Sequence, residues 1–326
     1  MNASNQRDGR GARGRRKDRE GDRRHPVLTP LTMSQAARLV RLAEDAAAER
    51  GQPMRYDGTA ALVPVGADGA PVKDGMFAGL ANLARTVAAL PRQRWRCAVA
   101  AHFDQMAAPD RPASVPDDLE SELYLRLVCA STIEPSWAER VPDFVPGVLT
   151  VPATYAGRAV AMHFDTDSLG VDWQEITRMG LANLRRLRDS VEHIRHSGAE
   201  VAILSGSMFT ASRALVLDTV LRESLQVENP ELGCLVAMPV RDMLLIHVVQ
   251  DQSAVTALDQ LATISTTMFT ARPGPVSPHV YYVADNEWQQ VTDHSTGVVR
   301  VQTAGELPDT LRRLGVGPAG GLPHLT

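Results

Sequence analysis

A short apolar run that leads into small hydroxyl residues is the part of this sequence best suited to binding chemistry. The segment VAILSGSMFTASRALVL covers residues 201–217, and it predicts a strand at 201–204 followed by a helix over 209–225. Backbone N–H groups at a helix start, together with the positive end of the helix dipole, bind phosphate or carboxylate. The candidate ligand-binding residues are Ser205, Gly206, Ser207, Thr210 and Arg213.

This segment contains no Walker-type Gly-Lys-Ser/Thr, no G-x-G-x-x-G and no G-x-S-x-G motif. We therefore predict no nucleotide cofactor here and no serine nucleophile, and we assign no catalytic residue. An ordinary turn capped by Ser or Thr is the alternative interpretation of the same residues.

Arg241 and Asp242 form a charged pair between two strongly apolar runs, 234–238 and 243–249. One interpretation is a turn whose charges pair locally. The other is a guanidinium held in position for a protein partner or an acidic ligand. We keep both residues as candidate partner-binding positions.

Two groups of residues invite a metal-site interpretation, which we reject for both. Asp165, Asp167 and Asp172 share one loop, but their spacing fits no EF-hand, and Asp172 is placed to cap a helix. His193 and His196 lie one turn apart on a predicted helix, without an H-E-x-x-H motif or a third ligand. We predict no metal and no cofactor, and we interpret His247, in an apolar strand, as a core histidine.

The formal net charge of −4 conceals an uneven distribution. Residues 1–24 hold nine basic and four acidic side chains, a balance of +5, which leaves −9 on the rest of the chain. This Gly-rich basic stretch has almost no hydrophobic residues, so we expect a disordered tail over 1–26. Attachment to nucleic acid through residues 1–24 is the functional alternative, although the tail has no aromatic residue for stacking on bases.

The remaining composition is that of a folded protein, with 44% hydrophobic residues. No apolar run reaches the length of a membrane span, and no apolar core follows the basic start, so we expect a cytoplasmic protein without membrane attachment. The three cysteines, Cys97, Cys129 and Cys234, are widely spaced in apolar stretches. We expect them to be buried thiols.

Helical and alternating patterns follow one another irregularly, which favours an α+β fold with a mixed or antiparallel sheet and packed helices. A proline-rich stretch over 107–116 predicts a boundary between an α-rich subdomain at 27–110 and an α+β domain at 117–305. Glycine and proline near the end predict a flexible tail over 306–326. We expect Leu83, Leu184, Leu217 and Leu245 in the core.

The sequence GLANL occurs twice, at Gly79 and at Gly180, and both copies predict helices, over 75–90 and 172–196. We place each Gly-Leu-Ala-Asn-Leu on an apolar helical stripe, with Gly79 where a helix could approach a strand closely. Because the flanking residues do not align, convergent packing is favoured over a duplicated ligand site.

Four features of the second half occur in a familiar order: ANLRRL, SGSMFTASRALVL, GCLVAMPVRDMLL and SPHVYYV. In this order they resemble the YtpQ-like family of uncharacterised bacterial proteins over residues 120–292. The resemblance implies a cytosolic α+β protein without an assigned reaction.

Three functions remain under consideration. The first is a non-enzymatic interaction or regulatory protein with a protein partner or a homo-oligomeric state. The second is an enzyme or sensor that binds a phosphorylated or acidic small molecule at 205–213, and the third is nucleic-acid attachment through the tail.

Overall fold

The computed structural model describes residues 23–58, 61–66, 78–107, 118–156, 159–294, 299–302 and 304–316. The first 22 residues of the predicted tail, residues 108–116 of the predicted boundary and the residues after 316 lie outside this part of the chain. The chain divides into two compact units, one comprising residues 1–110 with 271–273 and the other 111–270 with 274–326.

The first unit combines helices with one small antiparallel sheet. Its elements are α1 (Met33–Glu49), β1 (Met54–Tyr56), β2 (Ala61–Pro64), β3 (Ala78–Gly79), α2 (Ala81–Ala88), a 3₁₀ turn (Arg92–Arg94) and α3 (Trp95–Ala107). Thr32 caps the start of α1 in a capping box with Gln35, so that two N–H groups at the helix start have side-chain acceptors. Leu39, Leu83 and Trp95 are buried in the core of this unit.

In the second unit, a four-stranded antiparallel sheet packs against a helix. Its elements are α4 (Leu119–Glu122), β4 (Leu123–Cys129), α5 (Pro135–Ala138), β5 (Asp143–Val145), β6 (Val148–Ala156), β7 (Ala159–Met162) and α6 (Trp173–Arg186). The long strand β6 pairs with β4, β5 and β7. Asp172 caps α6, as the sequence predicts, by accepting a hydrogen bond from the Glu175 N–H at 2.9 Å.

The rest of this unit is built on a six-stranded antiparallel sheet in the order β13-β12-β10-β11-β9-β8. Its strands are β8 (Ser190–His196), β9 (Ala199–Ser205), β10 (Cys234–Ala237), β11 (Met243–Val248), β12 (Val280–Ala284) and β13 (Glu287–Gln290). The helices are α7 (Leu217–Ser224), α8 (Ala254–Ala271) and α9 (Glu306–Arg313), and β14 (Thr292–Asp293) pairs with β15 (Arg300–Val301).

Both faces of the six-stranded sheet are covered, since successive strand residues enter different cores. Val236 packs in a core with Leu217 of α7. The preceding residue, Leu235, packs in a second core with Leu258 of α8 and Leu307 of α9. Together with the first sheet, this arrangement confirms the predicted α+β fold class.

The predicted helix over 172–196 is wrong in its second half. Helix α6 ends at Arg186, and residues 190–196 form the edge strand β8. Ser197 and Gly198, with φ of 49° and 83°, make the two-residue turn that joins β8 to β9. The apolar spacing of Val191 and Ile194 fits a helix equally well, and pairing with β9 decides between the two.

Two further expectations need correction. Residues 306–313, which the sequence assigned to a flexible tail, form α9, because Leu307 and Leu311 lie on one side of it and are buried. Cys97 is exposed on α3, whereas Cys129 and Cys234 are buried as expected.

The two GLANL copies adopt different structures. Gly79 lies in β3, and a Cβ there would meet no atom within 4 Å. Gly180 lies inside α6, where a Cβ would stand 2.6 Å from Cγ of Leu125. The close approach that we predicted for Gly79 therefore occurs at Gly180. The repeat fits convergent packing or a very old duplication better than a shared ligand site.

The predicted core leucines are confirmed, with exposed fractions of 1%, 0%, 8% and 0% for Leu83, Leu184, Leu217 and Leu245. Within the described ranges, no helix combines the length and the apolar character needed to cross a bilayer.

Candidate functional site

The segment from Ser205 to Arg213 turns sharply at the end of β9. Ser205 closes the strand, and Gly206 has φ of 144°, which glycine adopts without strain. The predicted helix over 209–225 is divided into a 3₁₀ turn (Ala211–Val216) and α7. This segment therefore lacks the α-helix N-terminus at which we predicted anion binding.

The backbone N–H groups of this turn already donate within the protein. The N–H of Ser207 donates to Oγ1 of Thr210 at 3.0 Å, and that of Phe209 donates to Oγ of Ser207 at 3.1 Å. The N–H of Ala211 donates to the carbonyl of Arg241 at 3.1 Å. These three N–H groups hold the turn together and are not available to a ligand, which favours side chains as the ligand-binding groups here.

Arg213 and Thr210 share a buried acidic partner, Asp189. Nη1 of Arg213 lies 2.8 Å from Oδ2 of Asp189, and both side chains are fully buried. The hydroxyl of Thr210 donates to Oδ1 of the same carboxylate at 2.7 Å. A charge pair excluded from water is destabilised strongly when one partner is lost. Both residues therefore fix the turn in place. No sequence motif indicated Asp189, which lies 21 to 24 positions away.

Arg241 lies beside this turn, in the connection between β10 and β11. Its N–H donates to the carbonyl of Gly274 at 2.8 Å, while its own carbonyl accepts from Ala211. Gly274 has φ of 72°, and a Cβ there would stand 2.5 Å from Cδ of Arg241. Backbone bonds on two sides and this close contact hold the half-buried Arg241, with the half-buried Asp242 next to it.

Arg126 of β4 is the functional candidate that the sequence did not indicate. It is only 7% exposed, and its Nε has no hydrogen-bond partner. The pKa of Arg126 is lowered to about 10, mainly by burial and further by the positive charge of Arg241. The Tyr155 hydroxyl acts in the opposite sense and raises this pKa. An arginine in the alternating run LYLRLVC is normally solvated, so its burial could be recognised only from the structure.

Three aromatic rings form the wall next to Arg126. Its guanidinium carbon lies 5.9 Å from the ring centre of Phe209, a cation–π distance. Phe209 stacks on Tyr124, with ring centres 4.5 Å apart, and meets the edge of Tyr155 at 5.2 Å. Tyr155 is 41% exposed, and its hydroxyl lies 3.5 Å from that of Ser207. The wall thus runs from the protein interior to solvent.

Together these groups make a site with excess positive charge, which we call the arginine site: Arg126, Arg241, Tyr155, Ser207 and Phe209. Within the described part of the chain, no ion pair or side-chain hydrogen bond is assigned to Arg126. Two neighbouring cations repel each other, and the repulsion is strengthened where one of them is removed from water. The arrangement suits an anion that both guanidinium groups can bind.

The remaining candidate residues from the sequence make contacts within the fold. His193 and His196 lie on β8 instead of a helix, and the Nδ1 atom of His193 contacts Oε1 of Glu200 at 2.6 Å. Nδ1 of His247 bonds the carbonyl of Glu200 at 2.7 Å, and burial lowers the pKa of this core histidine. Asp172 acts as a helix cap, and the described residues contain no group of three or more metal-ligating side chains.

A cleft of about 640 Å³ is lined by other residues, from α7, the loop before β10 and the β12–β13 turn. Its acidic side chains, Asp218, Glu228, Glu231 and Asp285, are all exposed. Water solvates these carboxylates, so they do not require a ligand. Arg126, by contrast, is buried without an assigned ion-pair partner among the described residues. We therefore place the candidate site at the arginines instead of the cleft.

Comparisons of the chain with protein-family models, curated proteins and solved structures find no match. The resemblance to the YtpQ-like family therefore remains a prediction, and the candidate site depends on its own geometry.

Proposed function

We propose that this protein binds a small molecule carrying a phosphate or carboxylate group at the arginine site, and that it acts as a sensor or regulatory protein. The observation that carries the proposal is the burial of Arg126: the residue is only 7% exposed, its Nε is buried without a hydrogen-bond partner, and no carboxylate partner is assigned to it among the described residues. A second arginine, Arg241, lies near enough to lower its pKa.

The energetic argument starts from the cost of a buried charge. An ionised side chain loses its hydration when buried, and the protein recovers that energy only through a counter-charge or hydrogen bonds. Arg213 has such a counter-charge in Asp189, and Arg126 does not. A bound anion would supply it, which supports Arg126 and Arg241 as the ligand-binding pair.

The groups around Arg126 supply further contacts for a ligand. Hydroxyls of Tyr155 and Ser207 provide neutral hydrogen-bond donors, and the exposed side of the Tyr155 ring offers a flat apolar surface. The candidate residue Ser207 from the sequence thus keeps its role, while Thr210 and Arg213 support the turn from within.

The test is titration of the purified protein with inorganic phosphate and with citrate at constant ionic strength. We expect saturable heat in isothermal titration and a rise in melting temperature, because a ligand that binds only the folded state stabilises it. Both signals should disappear in Arg126→Gln and Arg241→Gln.

Arg140→Gln is the matched control, since Arg140 is exposed on another part of the same unit. It should bind like the wild type. If the wild type shows no saturable response to either anion, or if Arg126→Gln responds as the wild type does, the proposed function is refuted. Native mass spectrometry of protein purified from its own host would then identify any ligand that co-purifies.

A further inference from the structure

The edge strand β8 is one side of the six-stranded sheet, and its outer edge has no neighbouring strand among the described residues. Six of its seven residues are exposed, and Ile194 in its centre is 41% exposed. Long exposed edge strands with apolar residues pair with other strands unless they are protected.

The β8–β9 turn determines which backbone groups of β8 are available. His196 and Ala199 flank the two-residue turn of Ser197 and Gly198, so they form a hydrogen-bonded pair. Bonding alternates along an antiparallel pair, and Ile194 and Glu192 therefore also bond to β9. The N–H and C=O groups of Val191, His193 and Arg195 point outward from the sheet.

We infer that β8 pairs with β8 of a second copy of this chain, antiparallel about a two-fold axis through Ile194. If the axis is perpendicular to the sheet, each face of β8 continues into the same face of the second copy. Opposed residues must then both be even-numbered or both be odd-numbered. With Ile194 at the axis, His193 lies opposite Arg195 of the second copy, and the outward backbone groups of both form hydrogen-bonded pairs.

Side chains in this register are complementary. Ile194 packs on Ile194 of the second copy, which removes an exposed apolar side chain from water on each side. Glu192 lies opposite His196, a carboxylate opposite a hydrogen-bond donor, and this pair occurs twice. On the other face, His193 and Arg195 each contact the carboxylate of Glu200, so each already has an acidic partner on β9.

Alternative registers lack this complementarity. With His193 at the axis, each Glu192 carboxylate would lie opposite Ile194, and Val191 opposite Arg195. A charged group opposite an apolar one gains no pairing energy and loses hydration. The charges of β8 thus select the register centred on Ile194.

Crosslinking tests both the pairing and its register in the full chain. Opposed residues that are not hydrogen-bonded to each other have Cα atoms about 4.5 Å apart, within the range of a disulfide. In a Cys97→Ser background, which removes the exposed thiol, Ile194→Cys should form a covalent dimer under mild oxidation. His196→Cys should not, since the two copies of that position are about 14 Å apart along the strands.

Sedimentation velocity over a concentration series provides the second measurement. We expect a reversible dimer that is weakened about tenfold by His196→Glu, which places two carboxylates opposite each other twice, and likewise by Glu192→Lys, which removes the carboxylate acceptor opposite His196. The double variant should recover dimerisation, because it restores an acid opposite a base.

A monomer at all concentrations overturns the inference. So does a dimer in which Ile194→Cys crosslinks no better than His196→Cys, since that dimer uses another surface or register. Failure of the double variant to recover dimerisation overturns the proposed pairing of Glu192 with His196.

Discussion

Replacing Arg126 by methionine should stabilise the protein and at the same time abolish anion binding. Most substitutions of buried residues destabilise a protein, so the opposite sign is a strict test. Methionine keeps an unbranched stem for packing against Phe209 and removes the buried charge. Stability should rise because the variant no longer buries a guanidinium to which no counter-charge is assigned.

The size of the expected stabilisation follows from the lowered pKa of Arg126. Burial and the charge of Arg241 bring the pKa of Arg126 to about 10, from an ordinary value above 12. One pKa unit corresponds to about 1.4 kcal/mol, so the charged form costs about 3 kcal/mol at neutral pH. Loss of the cation–π contact with Phe209 offsets about 1 kcal/mol of this. We therefore expect Arg126→Met to raise the free energy of unfolding by about 1–2 kcal/mol.

Urea unfolding at pH 7.5 in chloride buffer, followed by tryptophan fluorescence, measures this difference. A second series at higher pH tests its origin. Between about pH 10 and the unfolded-state pKa, the folded wild type binds fewer protons than the unfolded chain, so its stability rises with pH relative to the variant. The advantage of Arg126→Met should therefore shrink above pH 10.

Arg140→Met serves as the control and should change stability by less than about 0.5 kcal/mol. If Arg126→Met instead lowers the free energy of unfolding by 1 kcal/mol or more, the guanidinium stabilises the fold, and the argument for an unsatisfied buried charge is refuted. An advantage that stays constant up to pH 11 would show that the charge is not its cause.

Three further predictions concern the scaffold. Asp189→Asn removes the counter-charge of the buried Arg213 and should lower the free energy of unfolding by about 3–5 kcal/mol in urea; a loss below about 1 kcal/mol would contradict the role of this pair. Gly180→Ala, whose Cβ would meet Leu125, should cost about 1–3 kcal/mol, whereas Gly79→Ala should leave the melting temperature nearly unchanged; equal effects would contradict the close approach. Four buried or half-buried histidines have pKa values lowered mainly by desolvation, so the folded state binds fewer protons than the unfolded chain and stability should fall as the pH drops below about 6.5. A melting temperature that stays constant from pH 7.5 to 5.5 would contradict this. These histidines are His163, His247, His279 and His294.

Much of the fold follows from local sequence signals. Thr32 and Asp172 are capping residues with a helix directly after them, and the structure has both caps. The apolar runs at 234–238 and 243–249 become β10 and β11. The β12–β13 hairpin forms around Asp285 and Asn286, which adopt positive φ of 49° and 63°. Such signals suffice because caps and tight turns are set by a few adjacent residues.

Strand β8 shows where local signals fail. Its apolar residues, Val191 and Ile194, are three positions apart and fit a helix or a half-exposed strand. Ser197 and Gly198 decide between the two, because they turn the chain so that β9 lies opposite seven consecutive residues of β8, of which alternate ones hydrogen-bond to it. That pairing is a tertiary contribution to the energy, and no property of residues 190–196 alone contains it.

The candidate site was likewise predictable from the sequence only in part. Sequence motifs selected the turn at Ser205–Arg213 and the charged pair at Arg241, yet as separate features. Tertiary structure placed them side by side, assigned Arg213 to Asp189 and brought Arg126 under the aromatic wall. An arginine in an alternating strand is solvated unless other elements cover it, and Phe209 and Tyr155 come from parts of the chain distant in sequence. The sequence by itself thus determined many of the elements and their caps, whereas only the packing of those elements decided which arginine lost most of its contact with water.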